Sequence, residues 1–278
     1  MSVHICAEIG SSHCGSAVRA RTLIQAAKQC GADSVKFQLF RGRSLYADPE
    51  RQQRVGPYEV PLEWLGPLSI YTHELGLQFI VTPFAVDLVP PLAGLIDAVK
   101  ISAYDLTFLD LVKAAAALQV PFILSTAMSI MEEVAKAACA VWDVWGLRVR
   151  HSLTVLHGVA QYPARLEDQN LNALRELQSW SEYFQTGVGL SDHTIGHEAA
   201  VIATALGATW IEKHFRLLDT PTESPDYLHS ATPPEFKQMV EAVRRTERAL
   251  GDGCKDGPLD CEKPLLFARR TNEKRLRG

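Results

Sequence analysis

An acid, a lysine and a histidine end the stretch WIEKHF, which occupies residues 210–215. A buried strand that begins with Trp210 and Ile211 should continue with apolar residues, yet Glu212, Lys213 and His214 follow. Burying such charged or polar groups without partners is costly, so they are rarely found at the end of an ordinary core strand. The stretch therefore predicts a site where acid–base or metal chemistry takes place.

A second histidine follows another apolar run, because residues 188–192 read VGLSD and His193 comes next. If this run and residues 210–215 are neighbouring strands, His193 and His214 lie at matching depth. Two imidazoles placed in this way can share one divalent metal ion, with Glu212, Asp226, water or substrate oxygens completing its shell. The spacing alone leaves a proton relay as the alternative.

Lysines and hydroxyl groups end further apolar runs. A single buried lysine has an ordinary structural explanation, but several at one end of one fold predict an anion site. The residues that could surround a phosphate and a carboxylate are Lys36, Thr82, Lys100, Ser125 and Ser191.

Eight short apolar runs must position these side chains. They occupy residues 4–10, 34–39, 78–83, 98–102, 121–126, 153–158, 188–192 and 210–215. Most are continuously apolar, which is typical of parallel strands covered on both faces. Helical segments lie between them, and Gly31 and Gly207 are expected to end two of these helices. The pattern predicts a (β/α)8 TIM barrel, in which catalytic groups cluster at the carboxyl ends of the strands.

The segments outside the repeating units predict a simple domain organisation. Residues 41–63 are polar and contain three prolines, which predicts a mobile loop over the barrel mouth. A helix is predicted at residues 233–250, with Gly251 as its cap. We expect residues 1–255 to form the barrel and residues 256–278 to form a basic C-terminal arm or a truncated linker.

Composition excludes several classes of function. The chain has 278 residues, 22% charged residues and a net charge of −4, which favours neither nucleic acid nor a membrane surface as a partner. Its six cysteines form no C-x-x-C pair, and no apolar run is long enough to span a membrane. No segment that resembles a signal peptide precedes the first strand. A cytoplasmic location with free thiols is expected.

An ordered set of motifs resembles the sialic acid synthase family over residues 3–270. The motifs are EIGSSHCG, GADSVKFQLF, TPF, VKIS, ILSTAM, LHGVAQYPA, GLSDHTIG, ALGATWIEKHF, SPD and ALGDG. The resemblance implies condensation of phosphoenolpyruvate with the open-chain form of an N-acyl amino sugar or another aldose. The products are a 2-keto-3-deoxy sugar acid and inorganic phosphate, and the cofactor is a divalent metal ion, Mn²⁺ or Mg²⁺.

The resemblance also implies a role for individual residues. The metal ligands are His193 and His214, and Asp226 faces the metal ion and the sugar. The catalytic set is Lys36, Lys100, Tyr162 and Glu212. The substrate-binding set is His13, Cys14, Gln38, Thr82, Ser102, Ser125, Ser191 and Asp226.

The sequence departs from the family where the acceptor sugar is expected. Cys14 replaces a polar residue, while Ala103 and Ala160 each replace a residue that could donate or accept a hydrogen bond. Family members also carry a C-terminal antifreeze-like domain that reaches the partner subunit, so a homo-oligomer is an option. These departures predict an altered acceptor, either smaller or less polar than N-acetylmannosamine.

Two other functions stay open at this point. A Schiff-base aldolase would use Lys100 or Lys213 as its nucleophile. A barrel that has lost catalysis and only binds ligands is the second alternative.

Overall fold

A closed barrel of eight parallel strands forms the centre of the molecule, in a computed structural model that describes residues 2–270. Each strand pairs with the next along the chain, and the barrel closes where Glu8 of the first strand pairs with His214 of the last. The strands are β1 (His4–Glu8), β2 (Ser34–Leu39), β3 (Gln78–Pro83), β4 (Ala98–Ile101), β5 (Phe122–Ser125), β6 (Leu153–Gly158), β7 (Gly187–Asp192) and β8 (Trp210–His214). The (β/α)8 prediction and all eight predicted strands are confirmed.

Helices surround the barrel and cover its apolar outer face. They are α1 (Ala17–Gln29), α2 (Gly42–Leu45), α3 (Pro49–Val55), α4 (Leu62–Glu74), α5 (Leu109–Ala116), α6 (Met131–Trp145), α7 (Ala173–Phe184), α8 (Glu198–Ala205) and α9 (Pro233–Leu250). Gly31 and Gly207 follow α1 and α8 with φ of +89° and +91°, as the sequence predicted. The predicted helix at 233–250 is also confirmed.

One of the expected strand–helix units is different. The connection between β3 and β4 contains two short 3-10 turns, Val86–Leu88 and Pro90–Leu92, and no α-helix. Pro90 and Pro91 explain this difference, because proline lacks the backbone N–H that an α-helix needs. The prediction of a helix after every strand is wrong at this position.

The segment 41–63 was predicted as a loop, but much of it is helical. It contains α2, α3 and a 3-10 turn at Gly56–Tyr58. The Asp48 side chain accepts a hydrogen bond from the backbone N–H of Glu50 at 3.1 Å, and Pro49 occupies the first turn of α3. The segment does lie over the mouth of the barrel, where its residues line a cavity.

The barrel interior changes from apolar to polar along the strands. Cys6, Ile80, Ala98, Ile123 and Leu156 form an apolar layer near the amino ends of their strands. Side chains on one face of a strand recur every second residue. The next inward layer therefore contains Glu8, Thr82, Lys100 and Ser125, and it forms the floor of a cleft that opens at the carboxyl ends.

The chain after α9 forms a separate extension. Within it, Lys263–Ala268 forms a 3-10 turn with exposed leucine and phenylalanine side chains. Residues 271–278 of the predicted basic arm lie outside the described residues. Among residues 2–270, no helix combines the length and apolar character needed to cross a membrane.

Candidate active site

The cleft brings together most of the residues that the sequence predicted for the site. Its walls and floor come from six strands, β2 to β5, β7 and β8, and from loops that follow the strands. The lining residues include Lys36, Gln38, Thr82, Lys100, Ser102, Ser125, Tyr162, Ser191, His193, Glu212 and His214. Ala103, which replaces a polar family residue, also lines the cleft.

Glu212 connects the two lysines on the cleft floor. Its Oε1 atom accepts hydrogen bonds from Lys36 Nζ at 3.0 Å, from Ser191 Oγ at 3.1 Å and from Lys100 Nζ. Its Oε2 atom is buried and has no hydrogen-bond partner in the described part of the chain. Burial alone would raise the pKa of Glu212, but the charges of Lys100 and Lys36 outweigh burial and hold the pKa below its usual value. Glu212 is therefore a carboxylate at neutral pH.

The two lysines differ in their protonation. Burial lowers the pKa of Lys100 to about 8, although the Glu212 charge works in the opposite direction. Burial also acts to lower the pKa of Lys36, but the charges of Glu212 and Glu8 raise it above its usual value. Lys36 therefore carries a permanent charge, whereas Lys100 can lose its proton near physiological pH.

Glu8 is a second buried carboxyl group on the floor. Its Oε1 atom accepts a hydrogen bond from Gln38 Nε2 at 2.8 Å, and its Oε2 atom lies 3.2 Å from Lys36 Nζ. Burial raises the pKa of Glu8, because Lys36 compensates only part of the cost of removing the charge from water. Glu8 and Glu212 thus both lie against Lys36 on the floor, and Lys100 adds a second ammonium beside Glu212.

Histidine side chains form one wall of the cleft. The ring centroids of His193 and His214 lie 5.5 Å apart, and Tyr162 lies 4.4 Å from His193. His193 Nδ1 donates a hydrogen bond to the carbonyl oxygen of Val159 at 2.8 Å, so its Nε2 atom has a free lone pair. Burial lowers the pKa of His193 to about 3. The neutral ring is the form that binds a metal ion.

Asp226 lies beside His214 on the loop between β8 and α9. The His214 Nδ1 and Asp226 Oδ2 atoms are 3.7 Å apart. Asp226 Oδ2 also accepts hydrogen bonds from the Ser11 backbone N–H at 2.7 Å and from Ser11 Oγ at 2.8 Å. Gly10 permits this approach, because its φ is +46° and an added Cβ would lie 2.2 Å from Asp226 Oδ2.

Lys213 does not line the cleft, so the prediction that the polar end of WIEKHF forms a site holds for Glu212 and His214 and is wrong for Lys213. Glu212 and His214 point into the barrel, so the intervening Lys213 points outward. Its Nζ atom lies 2.8 Å from Asp192 Oδ2 and donates to the carbonyl oxygens of Thr194 and Gly196. A lysine held in this way is unavailable as the nucleophile of a Schiff-base aldolase.

A second cavity of about 740 Å³ opens above the cleft and contains Asp226. Six aromatic side chains line it, together with Arg51 of α3. The aromatic residues are Phe40, Tyr46, Tyr58, Phe84, Tyr104 and Tyr162. Gln38, Ser102, Tyr162 and His214 border both cavities, so a ligand in one can contact a ligand in the other.

His13 and Cys14, predicted to contact the substrate, are not among the residues that line these two cavities. The His13 ring is fully buried and packs against the Trp64 ring, with the ring centroids 5.8 Å apart. Burial lowers the pKa of His13 to about 4. Cys14 is partly exposed, has a φ of 48° and places its Sγ atom 3.4 Å from the Ser12 carbonyl oxygen. Their contact with a substrate stays a prediction.

Residues 23–255 match the model of the NeuB family. The chain belongs to this family. Its NeuB-family relatives include N,N'-diacetyllegionaminic acid synthase of Legionella pneumophila, which is 34% identical, with 98% of this chain and 80% of that protein covered. Pseudaminic acid synthase of Campylobacter jejuni is also 34% identical, with 96% and 80% covered.

A solved structure shows the same architecture. The N-acetylneuraminic acid (sialic acid) synthetase of Leptospira borgpetersenii superimposes with a TM-score of 0.88, covering 99% of this chain and 94% of that one at 28% identity. The resemblance found in the sequence is therefore confirmed, and the three relatives named here are sugar acid synthases.

Two site residues were missing from the sequence prediction of this NeuB-family barrel. Glu8 is the last residue of β1, a charged residue after an apolar run, so its position at a strand end was a usable signal. His229 contacts His214 at 4.4 Å between ring centroids. It lies in a loop three residues after Asp226, and nothing in its local sequence distinguishes it from a surface histidine.

Proposed function

We propose that this protein condenses phosphoenolpyruvate with the open-chain aldehyde of an N-acyl amino sugar, giving a 2-keto-3-deoxy sugar acid and inorganic phosphate. Carbon 3 of phosphoenolpyruvate forms a bond with the aldehyde carbon, water adds at carbon 2, and the carbon–oxygen bond to phosphate breaks. The observation that supports this best is the pairing of two buried lysines on the floor with imidazoles and a carboxylate on the wall. The floor suits the phosphate and carboxylate groups of phosphoenolpyruvate, and the wall suits the aldehyde.

Phosphoenolpyruvate is assigned to the floor. Each lysine ammonium has three N–H donors, so Lys36 and Lys100 can stay bonded to Glu212 and still donate to the substrate. Charge-assisted bonds of this kind are stronger than neutral ones. Thr82 Oγ1 is buried and has no hydrogen-bond partner within residues 2–270, so it is free to donate to a substrate oxygen, and Ser125 lies on the same floor.

The wall is assigned to the aldehyde and to a divalent metal ion, Mn²⁺ or Mg²⁺. The residues fit such an ion, because His214 Nδ1 is buried without a hydrogen-bond partner in the described chain and lies beside the Asp226 carboxylate. His193 and His214 would hold the ion, as the sequence predicted, and Asp226 would join them. When bound, a divalent ion polarises a carbonyl oxygen.

Proton transfers are assigned to the remaining acids. The low pKa of Glu212 keeps it a carboxylate, so it can orient water through its unpaired Oε2 atom and does not act as a proton donor. Glu8, whose pKa burial raises, is the second carboxyl group on the same floor and lies 3.2 Å from Lys36 Nζ. Burial also raises the pKa of Tyr162, so its phenol keeps a proton that it can donate to the oxygen of the aldehyde.

A phosphate-release assay tests the proposal. The protein is incubated with phosphoenolpyruvate, with N-acyl amino sugars and with both, in the presence of Mn²⁺. Phosphate released only when both substrates are present is the expected result, and Lys36→Met should abolish it. A lysine adduct trapped by borohydride would favour the Schiff-base hypothesis, and no release with any aldose would favour a barrel without catalysis.

A further inference from the structure

His229 is a buried histidine with an unused ring nitrogen. Its side chain is 4% exposed, and it packs edge-on against His214 with ring centroids 4.4 Å apart. Its Nε2 atom lies 3.5 Å from Asp226 Oδ1, beyond an ordinary hydrogen bond, and has no hydrogen-bond partner within residues 2–270. Burying a polar nitrogen without a partner is costly, so this arrangement needs an explanation.

His229, His214 and Asp226 form a group of three donors. One ring nitrogen of each histidine and one carboxylate oxygen of Asp226 all lie within 4.8 Å of one another. Among the described residues, this is the group of histidine, cysteine and acidic side chains whose spacing suits a metal ion. Ligands of one ion at bond lengths near 2.1 Å lie about 3–3.5 Å apart, so small side-chain rotations would bring these atoms into place.

The Asp226 carboxylate is already oriented to bind a metal ion. Ser11 donates two hydrogen bonds to Asp226 Oδ2, which leaves Oδ1 facing His229. Such supporting hydrogen bonds to a ligating carboxylate are typical of metal sites.

We propose that His229 is a protein ligand of the same divalent ion as His214 and Asp226, and that the site therefore prefers a first-row transition-metal ion to Mg²⁺. The inference rests on the metal ion of the proposed function, but it does not depend on which sugar is condensed. Imidazole nitrogens suit Fe²⁺, Co²⁺ and Zn²⁺, and the affinity of such a site for Mn²⁺ is lower than for these ions, whereas Mg²⁺ prefers oxygen ligands and keeps several waters. A further imidazole in the shell shifts the preference toward the transition metals.

Metal binding measured without substrates tests this proposal. Co²⁺ is titrated into the metal-free protein and followed by visible absorption, and Mn²⁺ and Mg²⁺ are compared by calorimetry. His229→Gln should weaken Co²⁺ and Mn²⁺ binding by about 100-fold or more, since even supporting residues cost 10- to 100-fold. Mg²⁺ binding should change much less.

His157→Gln is the matched control. His157 is also half-buried near a strand end, but its Nε2 atom donates to the Gln169 carbonyl oxygen at 2.7 Å and its ring lies outside the two cavities. This control should bind all three ions like the wild type. Circular dichroism and thermal unfolding identify any variant that has lost its fold.

His229→Cys gives a positive signal that a structural role cannot produce. A thiolate at this position should bind Co²⁺ and add a sulfur-to-metal charge-transfer band to the spectrum of the wild type. Wild-type affinity for Co²⁺ in His229→Gln, no such band in a Co²⁺-loaded His229→Cys, or no Co²⁺ binding by the wild type would each overturn the proposal. Phosphate release by the unmodified protein is measured separately, so a failure here is distinct from a failure of the proposed function.

Discussion

At the scale of the residue, burial and a neighbouring charge have opposite effects on the pKa of Lys100. Burial lowers its pKa to about 8, while its bond to Glu212 favours the charged form. An anionic substrate binds the protonated lysine, so affinity for phosphoenolpyruvate should be greatest below pH 8 and fall as pH rises through the pKa. The loss between pH 8 and pH 9 should be roughly fivefold, as the protonated fraction falls.

The measurement is the dissociation constant of phosphoenolpyruvate from pH 6.5 to pH 9.5. Lys100→Met should bind more weakly and lose the pH dependence around pH 8. The control is Lys113→Met on the exposed side of α5, which should keep the wild-type profile. A wild-type affinity that is constant from pH 7 to pH 9 would contradict the assignment of Lys100 to the substrate anion.

The sequence was informative for residues that interrupt an apolar strand. Lys36, Lys100 and Glu212 interrupt otherwise apolar runs, so their residue types and positions were enough to predict that they belong to a site. His229 could not be assigned in this way, because its partners Asp226 and His214 meet it only after the loop between β8 and α9 folds over the barrel. The outward direction of Lys213 follows from strand alternation, but its pairing with Asp192 depends on the register between β7 and β8.

At the scale of the element, Lys213 holds the loop that follows β7. Its ammonium bonds to Asp192 and to two backbone carbonyl groups on either side of Ile195, directly after His193. Asp192 also accepts hydrogen bonds from the Thr194 backbone and side chain. Removing the lysine would leave Asp192 Oδ2 buried without its ion-pair partner.

Lys213→Met should therefore lower the free energy of unfolding by about 3–5 kcal/mol. Urea denaturation measures this change directly. The control is Lys136→Met, which removes an exposed ion pair with Glu132 on α6 and should leave the unfolding curve almost unchanged. Equal stability of Lys213→Met and Lys136→Met would mean that the buried pair does not hold the loop.

The strands were easier to predict than their connections. Eight apolar runs of the right length are recognisable in the sequence, because a strand buried on both faces needs apolar residues at nearly every position. The segment that became α2 and α3 is polar and short, so its helices depend on local caps such as Asp48 and on packing above the mouth. The turns between β3 and β4 could have been predicted from the two adjacent prolines, Pro90 and Pro91.

At the scale of the molecule, the cavity above the cleft is built from parts that are distant in sequence. Residues of α2 and α3 form one side, and residues near Asp226 form the other. A ligand cavity of 300–1,000 Å³ is typical of small-molecule sites. The volume of about 740 Å³ is larger than an unsubstituted short aldose requires. Of the two acceptor types predicted from the sequence, a less polar sugar fits better than a smaller one.

We therefore expect an acceptor hexose with two acetamido groups to be turned over at least about tenfold more efficiently than N-acetylmannosamine or mannose, as judged by kcat/KM. The physical reason is that the acetyl methyl groups can pack against the aromatic wall, where each well-placed apolar group contributes about 1–3 kcal/mol. Tyr58→Ala, in the wall, should raise KM for the diacetylated acceptor and leave KM for phosphoenolpyruvate unchanged. Tyr183→Ala, whose side chain is 82% exposed on α7, is the matched control. If N-acetylmannosamine or mannose were the better substrate, the aromatic wall would not select the acceptor, and the departures at Cys14, Ala103 and Ala160 would be tolerated by an ordinary sialic acid synthase site.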